Sequence, residues 1–260
     1  MHWGMFDSID NFNKGKKMKK LSIITLLVLF WALSAFALDG NEILKQVDRN
    51  LNPESFEMYR KLINIEPDGT KKEFIMFSVK KGKDKMASVF LSPASEKGRS
   101  TLRIGDNMWL YIPNVGKPIR ITSLQSVTGG IFNNSDIMRV DYSVEYNCDK
   151  IETTDKGYTL YLKARVRSVA YEAVTMFIDS EKLLPYKIEC YAASGMLIKN
   201  LYFKNIKDFG NDIIRPSIIE TDSPLYKGYK SYIVFANIKS RELASEIFSL
   251  NYMQKIDDLR

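Results

Sequence analysis

Histidine is almost missing from this chain. Its one histidine, His2, falls in an N-terminal stretch that reads as a removable leader. Ser-His-Asp and Cys-His catalysis, and His-ligated metal sites, are therefore excluded from the remainder. Cysteine is scarce as well, limited to Cys148 and Cys190. An oxidising compartment would allow them to pair. However, the strand pattern puts them on non-adjacent strands, outside the roughly 6 Å Cα separation that a disulfide needs. Two buried free thiols are the expectation. Internal repeats, low-complexity tracts and linkers are also lacking, which points to one domain. The positive excess is small and dispersed, too weak for a nucleic-acid footprint.

The one long apolar run lies near the N-terminus. Lys14, Lys16, Lys17, Lys19 and Lys20 precede an apolar segment from Leu21 to Leu33, and Ala35-Phe36-Ala37 supplies a small-x-small cleavage signal before Leu38. From Leu21 to Ala37 the run is short for a membrane span, and a polar amphipathic segment comes immediately after it. A cleaved signal peptide is expected, giving an N-terminal extension and leader over 1–37 and a working domain over 38–260. Met18 then reads as the start, and no cysteine follows the cleavage point to make the chain a lipoprotein. Loss of five lysines and two aspartates takes the formal charge from +7 to +4. It also removes Trp3 and Trp31, leaving Trp109.

The rest of the chain is mostly strand pattern. Asp39 to Leu51 is first a helix, with Asp39 and Glu42 spaced as a capping box and Ile43, Leu44, Val47 and Leu51 on one stripe. Pro53 stops it. Period-two runs then cover 57–65, 72–80, 85–92 and 97–104, and after residue 142 they cover 142–153, 158–166, 171–179, 185–192, 197–206, 213–221 and 230–239. The intervening turns are rich in Gly, Asp and Asn. This regular spacing predicts an antiparallel meander of about a dozen strands, fitting a large open barrel better than a small sandwich. On the strand around Phe74–Val79 both faces are largely apolar, so each side of the sheet needs a cover. A short helix is expected over 135–140, capped by Ser135 or Asp136, and another over 240–248 with a frayed tail behind it. The acidic residues cluster at turns, so carboxylate catalysis has no focus, and neither an enzyme nor a metal or cofactor is expected.

The stretch from Asp106 to Tyr142 is the most informative. It reads DNMWLYIPNVGKPIRITSLQSVTGGIFNNSDIMRVDY. A strand through Trp109 and Tyr111 ends at Pro113, and a second short one covers Pro118 to Thr122. A long connection then carries the large apolar residues Ile131 and Phe132. Long loops that keep such residues are packed on something or poised over it. With Trp109, Leu110, Tyr111, Pro113, Arg120, Ile121, Gly130, Phe132, Ser135, Asp136, Asp141 and Tyr142, the segment resembles the LolA-like outer-membrane lipoprotein-sorting family of periplasmic proteins. Asn133-Asn134 departs from the small residues usual in that family before Ser-Asp, and Lys117 stands where arginine is commoner.

The resemblance implies a mainly β, single-domain fold: an unclosed antiparallel β-barrel, or half-barrel, with short helices forming a lid over a hydrophobic cavity that holds acyl chains. On that basis Trp109, Tyr111, Ile121, Phe77 and Phe90 are assigned to the cavity wall. Ile43, Leu44, Val47 and Leu51 of the first helix, with Ile131, Phe132, Ile137 and Met138, are assigned to the lid. Lys117 and Arg120 are candidates for contact with a head group or partner. Methionines such as Met58, Met76, Met86 and Met108 suit variable apolar contents.

The function implied is a monomeric periplasmic carrier moving lipoprotein or lipid acyl chains between inner and outer membranes. An inner-membrane transporter would be its donor and an outer-membrane component its acceptor. A sensor or adaptor module binding a protein partner on the same fold is the alternative. A plain structural envelope protein is a third reading.

Overall fold

The computed structural model describes residues 39–126 and 128–260. The expected leader therefore lies outside the described residues. The chain starts with helix α1 (Gly40–Leu51). As expected, Asp39 caps it, its Oδ1 accepting the Asn41 amide at 2.9 Å. The second half of the capping box does not form, because Glu42 pairs with Lys45 instead.

Thirteen strands come next. The first six are β1 (Ser55–Ile65), β2 (Lys71–Lys81), β3 (Lys85–Ser92), β4 (Ser100–Ile104), β5 (Asn107–Tyr111) and β6 (Ile119–Ile121). After a crossing segment come β7 (Tyr146–Thr154), β8 (Gly157–Ala164), β9 (Ala173–Asp179), β10 (Pro185–Tyr191), β11 (Leu197–Asp208), β12 (Ile214–Asp222) and β13 (Lys230–Ser240). They form one antiparallel sheet in the order β6-β5-β4-β3-β2-β1-β13-β12-β11-β10-β9-β8-β7. Each half is a plain meander, and the long pairing of β1 with β13, from Phe56↔Ser240 to Ile65↔Lys230, welds the halves together. The sheet does not close: β6 and β7 are its two edges.

That order has a topological consequence. β6 and β7 are consecutive in sequence yet lie at opposite edges, so residues 122–145 must cross one face of the sheet. They carry two short helices, α2 (Asn134–Ile137) and α3 (Tyr142–Glu145). Helix α2 begins one residue earlier than the pattern suggests, because Asn133 is its cap: the Asn133 side chain takes the Asp136 amide, and the Asp136 side chain takes the Asn133 amide. Residues 142–145 read as strand but fold as helix. The cause is tertiary, since the Asp48 carboxylate on α1 accepts the amides of Tyr142 at 2.7 Å and Ser143 at 2.9 Å and so caps α3 from outside.

Side chains alternate across the sheet. Phe56, Met58 and Leu62 of β1, Phe74 and Met76 of β2, and Met86 and Phe90 of β3 join α1 and the crossing segment in an inner core. On the opposite face Phe77, Val79, Ala87, Val89 and Leu102 pack against Leu243, Ile247, Phe248, Met253 and Ile256. The chain's end is therefore not frayed. It forms 3-10 turns over Ser245–Ile247 and Leu250–Leu259, tied down by Ser100 Oγ donating to the Met253 carbonyl at 2.7 Å and Arg241 donating to the Leu259 carbonyl at 2.6 Å. Covering both faces explains why β2 and β3 are apolar on both sides. Cys148 on β7 and Cys190 on β10 are both free, Cys190 buried and Cys148 only half-buried. No described helix is long and apolar enough to cross a membrane.

Candidate functional site

The inner face of the half-barrel is the floor of the site, and α1 with residues 122–145 is its cover. Between them lies a cavity of about 60 Å³, far below the roughly 300 Å³ at which small-molecule pockets begin. Leu51 and Phe132 of the cover meet Phe56, Met58, Met86, Leu201, Phe203, Ile219, Ile233 and Phe235 of the floor, and Arg60 and Arg215 also line it. The cover is thus closed on the floor.

Polar groups rising from the floor hold the crossing segment. Arg60 on β1 donates to the Ile137 carbonyl at 2.6 Å. Arg103 on β4 donates to the Met138 carbonyl at 3.2 Å. Lys199 on β11 meets both the Ile131 carbonyl and the Asp136 carboxylate, the latter at 2.9 Å. The Tyr171 hydroxyl donates to Asp136 at 2.9 Å. Asn64 on β1 donates to the Thr128 carbonyl at 3.2 Å, and Ser231 on β13 links Asn64 to the Ile131 amide. A buried sheet floor that spends so many side chains on loop backbone orients that loop in one pose.

The charges are unevenly matched. Glu145 is shared by Arg103 and Arg139, each at 2.5 Å, and Lys80 pairs with Asp141 at 2.7 Å. Arg60 and Arg215 meet no carboxylate among the described residues. Burial lowers Arg60 to about 9, and the neighbouring Arg215 charge adds to the effect. Burial also lowers Arg215 to about 10. Both stay cationic at neutral pH. Asp48 moves the other way, pushed up to about 6 by burial and then by the Asp141 charge, against the amide hydrogen bonds it accepts.

The expected lid residues fall together. Leu44, Val47, Leu51, Phe132, Ile137 and Met138 lie in the inner core, with Ile43 packed against it, and Ile131 is buried between its Ser231 and Lys199 partners. The expected wall divides. Phe90 belongs to the inner core, edge-on to Phe74 at 6.0 Å. Ile121 opposes Met108 at the open edge of the sheet. Phe77, Trp109 and Tyr111 do not face the cavity: all three pack in the outer cluster under the C-terminal turns. The reason is register. Phe77 alternates with the inward Met76, and Trp109 and Tyr111 lie opposite Leu102 and Ser100 on the outer face. Lys117 and Arg120 are exposed, and Arg120 donates to Asn107 rather than into the site.

The residues that sequence reading left out are the floor's cations, Arg60, Arg103, Lys199 and Arg215, and the aromatic wall of β1, β11 and β13. One signal was available. β1 buries every second residue, Phe56, Met58, Arg60, Leu62 and Asn64, and a cation in the middle of an inward apolar series marks a buried task rather than a surface charge.

An open antiparallel half-barrel plugged by its own crossing segment is the class of fold that this geometry defines. A family model described as "Uncharacterized protein" matches residues 82–255, and the chain belongs to that family. Solved structures carry the comparison further. A LolA superfamily protein from Nitrosomonas europaea superposes with TM-score 0.75 at 28% identity, over 83% of this chain and 100% of that one. A putative outer membrane lipoprotein-sorting protein domain from Vibrio parahaemolyticus gives 0.69 at 18% identity, over 83% and 98%. A DUF1329 family protein from Desulfovibrio piger gives 0.70 at 18%, over 82% and 97%. The protein is LolA-like, as the Trp109–Tyr142 motif indicated. No curated protein matches the sequence.

Proposed function

We propose that the protein is a periplasmic carrier that takes acyl chains of lipoproteins or lipids into the half-barrel and moves them between the inner and outer membranes. The observation that carries this reading is the crossing segment. Its apolar residues Phe132, Ile137 and Met138 fill the inner face, while its backbone is held by hydrogen bonds from Arg60, Arg103 and Lys199. Such a cover can exchange with a ligand, because an acyl chain buries the same floor at roughly 0.8 kcal/mol per CH2 while the latches set the opposing cost. A carrier needs that balance in order to release its cargo.

The lipoprotein-sorting name of the Vibrio parahaemolyticus domain and the LolA superfamily name of the Nitrosomonas europaea protein support the same role and compartment. The protein acts by binding and not by catalysis, works as a monomer, receives cargo from an inner-membrane transporter and yields it to an outer-membrane acceptor.

The test is mass spectrometry of organic extracts of the gently purified protein. Acyl lipid or lipopeptide at near-equimolar amounts is expected. Protein that is free of lipid, takes up no acyl probe and instead retains a protein partner would replace this reading with an adaptor on the same fold.

A further inference from the structure

Within the carrier reading, on which this inference rests, the cavity floor has a chemical asymmetry that acyl chains alone do not explain. Arg60 is 4% exposed and Arg215 is 4% exposed, and both line the cavity beside Phe235. Strand register sets Arg60 directly opposite Phe235, and the Arg215 guanidinium stacks on the Phe235 ring at 4.4 Å. Their partners are neutral. Arg60 Nη1 has the Ile137 carbonyl, its Nη2 reaches Ser88 Oγ only at 3.5 Å, and its Nε is buried with no partner. Arg215 Nη1 holds the Leu51 carbonyl at the end of α1 and Asn52 Oδ1 at 2.6 Å, and its Nε lies 3.4 Å from the Pro216 carbonyl.

The other charged groups at the cavity are already committed. Asp136 serves Lys199, Tyr171 and, at 3.7 Å, Arg139, and Glu145 is shared by Arg139 and Arg103. Two like charges buried together with no counter-charge are costly. Neutral hydrophobic cargo would leave them so, whereas a phosphate or carboxylate would accept two guanidinium forks at once.

We propose that Arg60 and Arg215 form an oxyanion site in the floor of the cavity, and that the cargo is an acidic amphiphile whose phosphate or carboxylate enters with its chains. Binding there would draw the Arg60 guanidinium from the Ile137 carbonyl and the Arg215 guanidinium from the Leu51 carbonyl. The anion would thus loosen α2 and the end of α1 together, which are the two halves of the cover.

Displacement of the neutral fluorophore N-phenyl-1-naphthylamine from the full chain tests this, with dodecyl phosphate, laurate, 1-dodecanol and dodecyltrimethylammonium as competitors below their micelle concentrations. Dodecyl phosphate or laurate is expected to displace the probe at a concentration at least tenfold lower than 1-dodecanol, with dodecyltrimethylammonium weakest. In the Arg60→Met, Arg215→Met double variant the acids and the alcohol should agree within about twofold, whatever the change in the alcohol's own value. Arg60→Lys with Arg215→Lys, which keeps both charges, should retain a preference for the acids and controls for folding.

Equal displacement by acid and alcohol in the unaltered protein would overturn the oxyanion site while leaving the carrier reading intact. Displacement by none of the four would remove the carrier reading, and this inference with it. Inorganic phosphate should not displace the probe; if it does so as well as dodecyl phosphate, the site takes a free anion and the amphiphile assignment fails.

Discussion

Gly130 in the crossing segment lies hard against Asn64 in the floor: a Cβ on Gly130 would stand 2.0 Å from Asn64 Oδ1. No side chain fits there, so the loop backbone reaches the sheet only because this position is glycine. The same Asn64 donates to the Thr128 carbonyl and receives the Ser231 hydroxyl. The cover is seated at this point by close approach as much as by apolar burial.

Gly130→Ala should therefore lift the loop. A loss of about 1–3 kcal/mol is expected from the overpacking, together with faster amide exchange confined to about residues 126–138. Hydrogen exchange read by mass spectrometry checks it. Unchanged exchange over that stretch would mean that the loop is not held by its contact with Asn64.

Asp48 makes stability depend on pH in an unusual direction. Its folded value is raised from 3.8 to about 6, so between those values the folded state binds more protons than the unfolded one. Its contribution is fully present below about pH 4 and is lost as pH rises through about 6, amounting to roughly 3 kcal/mol. Asp48→Asn lacks this dependence. Relative to the unaltered protein, the variant should gain about 2 kcal/mol of stability between pH 4.5 and pH 7.5, part of the full effect being already lost at pH 4.5, read from urea unfolding at the two pH values. A constant difference across that range would show that Asp48 titrates normally.

Glu145 is 1% exposed and holds two guanidinium groups, those of Arg103 and Arg139. Glu145→Gln leaves Arg103 without a charged partner and Arg139 with only Asp136 at 3.7 Å, and should cost about 3–5 kcal/mol, the usual result of removing one member of a buried ion pair. Thermal unfolding measures it. A loss below about 1 kcal/mol would mean that water already screens the cluster.

Trp109 reports on the outer face rather than on the cavity. With Trp3 and Trp31 replaced by Phe, its emission should be insensitive to acyl ligands. Ile256→Asp, which puts a charge into the cluster under the C-terminal turns, should shift that emission to the red and cost at least about 2 kcal/mol. Strong quenching of Trp109 by a bound lipid would place the ligand on the outer face and contradict a site on the inner one.

Much of the fold was legible in the residues, and the failures share a cause. Period-two alternation with Gly- and Asp-rich turns determined the strands and the two meanders, because pleat geometry and hairpin chemistry are local. The helix stripe Leu44-Val47-Leu51 and the apolar loop residues Phe132, Ile137 and Met138 marked the cover for the same reason. Alternation does not say which of two apolar faces looks inward. The question is easier on β1, where Glu57 and Lys61 mark the outer face. On β2, Met76 and Phe77 are equally apolar. Only the passage of residues 122–145 over one side of the sheet and 245–259 over the other decided between them.

That choice sent Phe77, Trp109 and Tyr111 outward. Tertiary structure alone also turned Tyr142–Glu145 into a helix, through a carboxylate 94 residues earlier in the chain, and brought Arg60 of β1 and Arg215 of β12 to one cavity. Residues so far apart in sequence share a site because β13 pairs with β1 and with β12, and no local pattern encodes that pairing.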